Sequence, residues 1–377
     1  MHEGVSGDLS LGAETVSLLE RYGFDKKTFE TLRQRLASGD LSDATNRLPG
    51  RVEPPAAGDV TQLPALGSSE REALNKLGEQ AIREGKIAAV VLAGGMATRF
   101  GGVVKAAVPV ARGKTFLDLK LADIHASAKR SGGRVPTYLM TSFATDAEVS
   151  RMAREASTAE APVETFSQFV SLRLTRDGAL FRDTKGEVSP YAPGHGDLPF
   201  ALRRSGALAK LRAAGVTQIY MSNVDNLAAT LDPAIIGAHL RGGRPITVEV
   251  ADKAKGDKGG APARVDGALQ IVEGFRFPPE FDQDAIPVFN TNTLIFDLDA
   301  IDRDFELSWF VVTKEVEGKK VVQFERLVHE LTAFLPTQML GVAREGSDGR
   351  FAPVKDPPEL EQRRPAIESL LEQRGAL

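Results

Sequence analysis

The apolar residues near the N-terminus recur at helical spacing. This pattern predicts helices within residues 14–37, and a further helix over 69–85 with an apolar face. Ser69 and Glu72, three residues apart, form a capping-box pattern that favours a helix start at this point. The intervening residues 38–66 are rich in Gly, Pro, Asp and Ala, and we expect a linker or an irregular segment there.

The centre of the chain alternates between short apolar runs and helical patterns. The predicted elements are strand 87–93, helix 115–129, strand 135–142, helix 145–156, helix 199–214 and strand 218–224. Three further strand-like runs follow between residues 246 and 298. Strands and helices alternating at this spacing predict an α/β fold with a mostly parallel sheet and helices on both faces.

Composition narrows the classes of function. The 377 residues are 42% hydrophobic and 26% charged, which is typical of a packed globular protein. A net charge of -4 argues against nucleic acid or an anionic membrane as the main partner, so an anionic substrate requires a local cluster of cations. The absence of cysteine excludes disulfides and thiolate chemistry. We find no secretory signal and no membrane-spanning run, and we expect a cytoplasmic protein.

A glycine-rich turn directly follows the apolar run 87–93. Gly94 and Gly95 would let the backbone approach a nucleotide closely, and Arg99 and Lys105 could neutralise its phosphates. A tight strand-to-helix turn with two hydrated cations explains the same residues. The spacing matches neither the dinucleotide fingerprint nor the P-loop, which disfavours a nicotinamide oxidoreductase.

Other polar residues stand in loops and at predicted strand ends. His195 lies between two glycines, where a structural or solvent-facing histidine is the common alternative to a ligand-binding one. Asp225 follows strand 218–224, a suitable position for a Mg²⁺ ligand, although an Asx turn would use the same residue. The remaining candidates are Lys253, Glu273, Asn290, Asn292 and Lys355.

Six stretches, in order, give the chain a family resemblance. They are LMTSFATD (139–146), PGHGDLPFALRRSG (193–206), QIYMSNVDNLAATLDP (218–233), VEVADKAKGDKGG (248–260), FNTNTLIFDL (289–298) and RFAPVK (350–355). Together they resemble the UTP–glucose-1-phosphate uridylyltransferases of the eukaryotic type, over most of residues 87–356. The resemblance implies a Rossmann-like nucleotidyltransferase domain with a mixed, mostly parallel sheet.

The resemblance also assigns roles to individual residues. It implies that Lys105 and Lys355 serve catalysis and that Asp225 binds Mg²⁺. We add Arg99 to the catalytic residues because its charge lies in the same glycine-rich turn as Lys105. The implied nucleotide-binding residues are Leu92, Gly94, Gly95, Gln168 and Gly194, with Gln168 and Gly194 at the uracil. The implied sugar and phosphate contacts are His195, Asn223, Lys253, Glu273, Asn290 and Asn292.

The implied reaction joins UTP and glucose 1-phosphate into UDP-glucose and pyrophosphate, with Mg²⁺. We expect a helical N-terminal segment (1–85), a nucleotidyltransferase domain (86–310) and a short C-terminal region (311–377). The C-terminal β-helix domain of the family has no counterpart in the residues after Lys355, so we expect one short helix there. We therefore expect a monomer, or a dimer through another surface, with no nucleic-acid or membrane partner.

Departures from the family pattern leave the sugar open. Ala97 stands where a third loop glycine is usual, and Val104 where proline is usual. The residues after Gln168 also differ, and Arg99 is more similar to the UDP-N-acetylglucosamine and broad-specificity UDP-sugar pyrophosphorylases. Two alternatives therefore stand beside UDP-glucose synthesis: a pyrophosphorylase for another sugar, and an inactive UDP-sugar binding protein.

Overall fold

A mixed eight-stranded sheet forms the centre of the protein. The computed structural model describes residues 9, 11–254, 256–257 and 259–377. The strands of this sheet are β1 (Val60–Gln62), β2 (Ile87–Leu92), β3 (Thr137–Thr141), β4 (Val163–Ser167), β5 (Gln218–Asn223), β6 (Ile246–Asp252), β7 (Val288–Asp297) and β8 (Thr337–Val342). Their order is β1-β8-β6-β7-β5-β2-β3-β4. Neighbouring strands are parallel except at β7, which is antiparallel to both β6 and β5. The predicted mixed, mostly parallel sheet is confirmed.

Helices cover this sheet and the segments beside it. They are α1 (Ala13–Arg21), α2 (Lys26–Ala37), α3 (Ser69–Arg83), α4 (Phe116–Arg130), α5 (Asp146–Ala156), α6 (Leu198–Arg204), α7 (Ala207–Ala213), α8 (Pro233–Gly242) and α9 (Pro357–Gln373). The helix predicted over 115–129 is α4, and a capping box between Thr115 and Asp118 forms its start. None of the described helices is long and apolar enough to cross a membrane.

Three local predictions are corrected. The capping residue of α3 is Ser68, whose side chain accepts from the N–H of Arg71, and not Ser69. The single helix expected over 199–214 is two helices, because Gly206 adopts a left-handed φ of 77° between them. The segment 38–66 contributes strand β1 to the edge of the main sheet and residues Val52–Glu53 to a smaller one.

The smaller strands form separate sheets and hairpins. Val52–Glu53 pairs with Ala261–Val265, which pairs in turn with Ala268–Val272. The hairpin pairs are Met96–Ala97 with Val103–Val104, Pro109–Ala111 with Lys114–Thr115, Ser171–Leu172 with Pro190–Tyr191, and Phe310–Val316 with Lys319–Glu325.

The two faces of the sheet bury separate apolar cores. Successive strand residues point to opposite faces, so Ala89 and Val91 join the core that includes α3, α4 and α8, while Ala88 and Val90 join the core that includes α6 and α7. The predicted C-terminal helix is also confirmed: Ile367 of α9 is buried in the first of these cores. The eight-stranded sheet takes β1 and β8 from outside residues 86–310.

Candidate active site

The predicted site residues gather at one edge of the sheet. Leu92 and Asn223 are register partners at the carboxyl ends of the parallel strands β2 and β5. Strand β7 runs in the opposite direction, so its beginning lies at this same edge, where Asn290 pairs with Val250 of β6. Open α/β sheets bind ligands at this carboxyl edge. Gln168 directly follows β4, and Lys253 directly follows β6.

The glycine loop packs closely against Gln168. A Cβ atom on Gly94 would lie 2.3 Å from Nε2 of Gln168, so any larger residue there would displace the Gln168 amide. The hydroxyl of Ser142 donates to the Gly94 carbonyl over 2.8 Å and holds the loop in place. Gln168 is only 8% exposed, yet its Oε1 has no hydrogen-bond partner among the described residues. A buried acceptor without a partner is costly, and a ligand N–H would satisfy it.

Lys105 and Asp225 form an ion pair beside this loop. The Lys105 ammonium lies 2.7 Å from Oδ2 of Asp225 and donates to the Val354 carbonyl over 2.6 Å. Both side chains keep about a fifth of their surface exposed (17% and 22%). The backbone N–H of Lys105 also donates to the Gly95 carbonyl over 3.1 Å. The residues predicted to bind phosphate and metal therefore contact each other directly.

The donor set around Asp225 suits Mg²⁺ only together with substrate phosphates. Within the described part of the chain, no group of three or more His, Cys, Asp or Glu residues is arranged to hold a metal ion. Mg²⁺ commonly binds through one or two carboxylates and the phosphates of a nucleotide. The partly exposed Asp225 carboxylate fits this mode of binding.

Buried cations that the sequence analysis did not single out support the Asp225 loop. Lys120, on α4, donates to the carbonyls of Asn226 and Ala229 over 2.7 Å each, and burial lowers its pKa to about 8. Arg350 is fully buried and pairs with Glu249 of β6 over 2.6 Å. Lys120 gives no signal in the sequence, where it resembles a hydrated helix lysine, and Arg350 begins the stretch RFAPVK without being assigned a role there.

Asn226 ties the loop to the segment after β8. Its side-chain amide donates to the Arg350 carbonyl over 3.1 Å and accepts from the N–H of Ala352 over 3.0 Å. The same segment brings the Val354 carbonyl to Lys105. The loop after β5 and the segment before α9 are therefore one hydrogen-bonded unit.

Three asparagines form a connected group on the other side of β5. The amide of Asn292 donates to Oδ1 of Asn223 over 3.0 Å, and the backbone N–H of Asn292 donates to Oδ1 of Asn290 over 2.9 Å. Asn292 has a φ of 58°, a conformation that asparagine tolerates better than most residues. Its Oδ1 is buried and has no partner in the described residues.

His195 is held as a neutral imidazole next to this group. Gly194 has a φ of 107°, and a Cβ there would lie 2.9 Å from the Arg326 carbonyl, so this turn requires glycine. The N–H of Val328 donates to Nδ1 of His195 over 3.0 Å, which leaves the proton on Nε2. Burial lowers the pKa of His195 to about 4 and raises the pKa of the nearby Glu273 carboxyl above its usual range.

The other three predicted cations are Lys253, Arg99 and Lys355, and none of them forms an ion pair with Asp225 in the described part of the chain. Lys253 follows β6, but its ammonium donates to the Gln283 carbonyl and to Asp284. Arg99 is exposed in the glycine-rich turn. Lys355 is exposed and immediately follows Val354, whose carbonyl contacts Lys105.

Comparison with known proteins gives the same family as the motifs. Residues 26–362 match the family described as UTP–glucose-1-phosphate uridylyltransferase. The enzyme of that name from Hordeum vulgare is 32% identical over 290 residues, which are 73% of this chain and 61% of that protein. The chain spans about three fifths of the length of such curated relatives.

Solved structures share the fold. The uridine diphosphate N-acetylglucosamine pyrophosphorylase from Trypanosoma brucei superposes with a TM-score of 0.77 at 20% identity, covering 94% of this chain and 80% of that one. A mutant UDP-glucose pyrophosphorylase from Leishmania major, solved in complex with UDP-glucose, gives 0.70 at 22% identity, covering 92% and 77%. The match over residues 26–362 establishes that this chain belongs to the UTP–glucose-1-phosphate uridylyltransferase family.

Proposed function

We propose that the chain transfers a uridylyl group from UTP to glucose 1-phosphate, giving UDP-glucose and pyrophosphate. The observation that supports this most directly is the position of the Lys105–Asp225 pair in the strand order. Gln168 and the glycine loop lie on the β2, β3 and β4 side of the pair, and the asparagine group lies on the β7 side. This order supports a base-reading role for Gln168, a phosphate-binding role for the ion pair and a hydroxyl-binding role for the asparagines.

In the proposed reaction, an oxygen of the sugar phosphate attacks the α-phosphorus of UTP in line. A P–O bond forms there, the P–O bond to the β-phosphate breaks, and pyrophosphate leaves with the electron pair. No covalent intermediate on the enzyme is needed. Lys105 would stabilise the charge that develops at the α-phosphate, because a fixed cation in a partly dehydrated site is effective at such charge. Mg²⁺ bound to Asp225 would supply further charge neutralisation and orient the phosphates.

The remaining residues would bind and orient the two substrates. Leu92, Gly94, Gly95 and Gly194 would contact the nucleotide, with the buried Oε1 of Gln168 accepting from the uracil N–H. His195, Asn223, Glu273, Asn290 and Asn292 would contact the sugar phosphate. Arg99, Lys253 and Lys355 would contribute positive charge to the phosphates. Holding both substrates in place could itself lower the barrier by about 7–11 kcal/mol.

The test is a pyrophosphate-release assay with UTP, MgCl₂ and a panel of sugar 1-phosphates. We expect turnover with glucose 1-phosphate that EDTA abolishes and excess Mg²⁺ restores. Turnover with none of the sugars would refute the proposed enzyme activity. Calorimetry with UDP-glucose then separates an inactive binding protein, which would bind it, from a chain without either property.

One residue favours N-acetylglucosamine 1-phosphate as a second candidate sugar substrate. Arg99, in the glycine-rich turn, is the feature more similar to UDP-N-acetylglucosamine and broad-specificity pyrophosphorylases. The same panel distinguishes these activities through the ratio of kcat/KM for glucose 1-phosphate and N-acetylglucosamine 1-phosphate. A cytoplasmic location and a monomeric or dimeric state complete the proposal, and light scattering tests the latter.

A further inference from the structure

One buried histidine contacts the proposed sugar-binding residues although no motif pointed to it. His329 is 4% exposed. Its Nε2 lies 3.5 Å from Oε2 of Glu273, and its Nδ1 lies 3.5 Å from Nδ2 of Asn290. The ring centroid of His329 is 6.2 Å from that of His195. His329 therefore lies among three of the side chains proposed to contact the sugar phosphate.

The neighbours of His329 determine which of its nitrogens bears the proton. Oδ1 of Asn290 accepts from the N–H of Asn292, so the other end of that amide is the NH₂ donor and Nδ1 of His329 is the acceptor. Nε2 then bears the proton and faces the acceptor oxygen of Glu273. Burial, with His195 and Arg276 nearby, lowers the pKa of His329 to about 3, so the neutral form that this arrangement needs prevails at neutral pH.

These contacts join the sugar-side residues into one series. It runs from Glu273 through His329 to Asn290, then to Asn292, and ends at Asn223 beside the Asp225 loop. His329 is the link between Glu273, which follows the strand Ala268–Val272, and the asparagines of the main sheet. Without its imidazole, the Glu273 carboxylate and the Asn290 amide have no group between them in this series.

The backbone of His329 is itself fixed. The Thr332 hydroxyl donates to the His329 carbonyl over 2.6 Å and accepts from the N–H of Ile271 over 2.9 Å. Ile271 belongs to the strand that leads into Glu273. The next residue, Glu330, pairs with Arg276 over 3.1 Å. The helical turn that presents His329 is thus attached to the same strand end as its partner Glu273.

We propose that His329 is a further positioning residue for the sugar 1-phosphate: its neutral imidazole holds the Glu273 carboxylate and the Asn290 amide in the orientation that receives sugar hydroxyls. This inference rests on the proposed function. It implies that the effect of His329 is confined to the sugar side, because its contacts lie on the β7 side of the Lys105–Asp225 pair.

The experiment compares His329→Phe with His329→Gln in the full chain. Phenylalanine keeps a ring in the space but removes both polar nitrogens, whereas glutamine restores one donor and one acceptor. We expect His329→Phe to raise KM for glucose 1-phosphate about tenfold, the scale of one or two modest hydrogen bonds, with KM for UTP within about twofold of wild type. We expect His329→Gln to recover most of this loss.

His239→Gln is the matched control. His239 is also buried, and it contacts Thr247 and Asp297. Asp297 pairs with Gln218 at the opposite, amino-terminal edge of β5, so this substitution removes a buried imidazole far from the proposed site. We expect His239→Gln to leave both KM values near those of wild type. Circular dichroism identifies any variant that does not fold, and the Gln variant of His329 then gives the decisive comparison.

The outcomes separate the inference from the proposed function. Equal increases in both KM values, an unchanged His329→Phe enzyme, or a Gln variant no better than Phe would overturn the positioning role while the activity stands. Wild-type protein without turnover would refute the activity. Calorimetry would then test the positioning role, which requires that His329→Phe weaken the binding of UDP-glucose but not the binding of UDP. Wild-type protein that also fails to bind UDP-glucose would overturn both.

Discussion

Lowering the pH from 7 to 5 should destabilise the fold through two buried imidazoles, and replacing His329 should remove about half of that effect. His195 and His329 have folded-state pKa values lowered by burial to about 4 and about 3. In the unfolded chain both pKa values return to about 6.5. At pH values between the folded-state and the unfolded-state pKa, the unfolded chain binds more protons than the folded protein, so the free energy of unfolding falls as the pH falls.

The size of the effect follows from the difference between pH 5 and the unfolded pKa. At about 1.36 kcal/mol per pH unit over about 1.5 units, each histidine costs about 2 kcal/mol at pH 5, and almost nothing at pH 7. The result changes little if the folded pKa of His329 is about 4 instead of about 3, because either value lies well below pH 5. Glu273, whose pKa burial raises, takes up protons in the folded state and offsets part of the loss.

The assay is urea denaturation of wild type and His329→Gln at pH 7 and at pH 5, with His125→Gln as the control. Carboxyls away from His329 are common to all three proteins, and glutamine keeps an N–H donor for the neighbouring Glu273, so the comparison reports mainly on the histidine. We expect the stability loss on acidification to be about 2 kcal/mol smaller in His329→Gln than in wild type. His125 is exposed, and its replacement should leave the wild-type loss unchanged. Equal losses in wild type and His329→Gln would refute the reasoning.

The remaining predictions concern the proposed reaction. Lys105→Ala should lower kcat by about a hundred- to a thousandfold with a much smaller change in KM for UTP, because its charge acts mainly on the transition state; steady-state kinetics within a few-fold of wild type would contradict this. Asp225→Ala should abolish Mg²⁺-dependent turnover while circular dichroism stays native, and an unfolded variant would instead favour a structural role. Gln168→Ala should reduce the preference for UTP over CTP in kcat/KM, because the uracil edge then has no partner for its N–H. Gly94→Ala should reduce the same preference by displacing the Gln168 amide, from which its Cβ would be 2.3 Å; unchanged discrimination in both variants would place Gln168 outside the base pocket.

Patterns within a short stretch of sequence determined most of the central architecture. The apolar run 87–93 contains the buried strand β2, because an uninterrupted apolar segment suits a strand covered on both faces. Thr115 and Asp118 determine the start of α4, since both partners of the capping box lie within one turn. The six family-like stretches likewise pointed to the family found by comparison. In each case the information is local to the stretch.

Tertiary structure decided what depends on residues far apart in the chain. Nothing local distinguishes Lys120 from a hydrated helix lysine, yet the fold buries it against the Asn226 carbonyl, 106 positions away. Lys253 lies at the expected strand end, but its ammonium forms an ion pair with Asp284 in a neighbouring loop. His329 meets Glu273 and Asn290 only because a helical turn, a short strand and the antiparallel strand of the main sheet converge. The sequence therefore determined which groups reach the sheet edge, and long-range packing decided which of them touch.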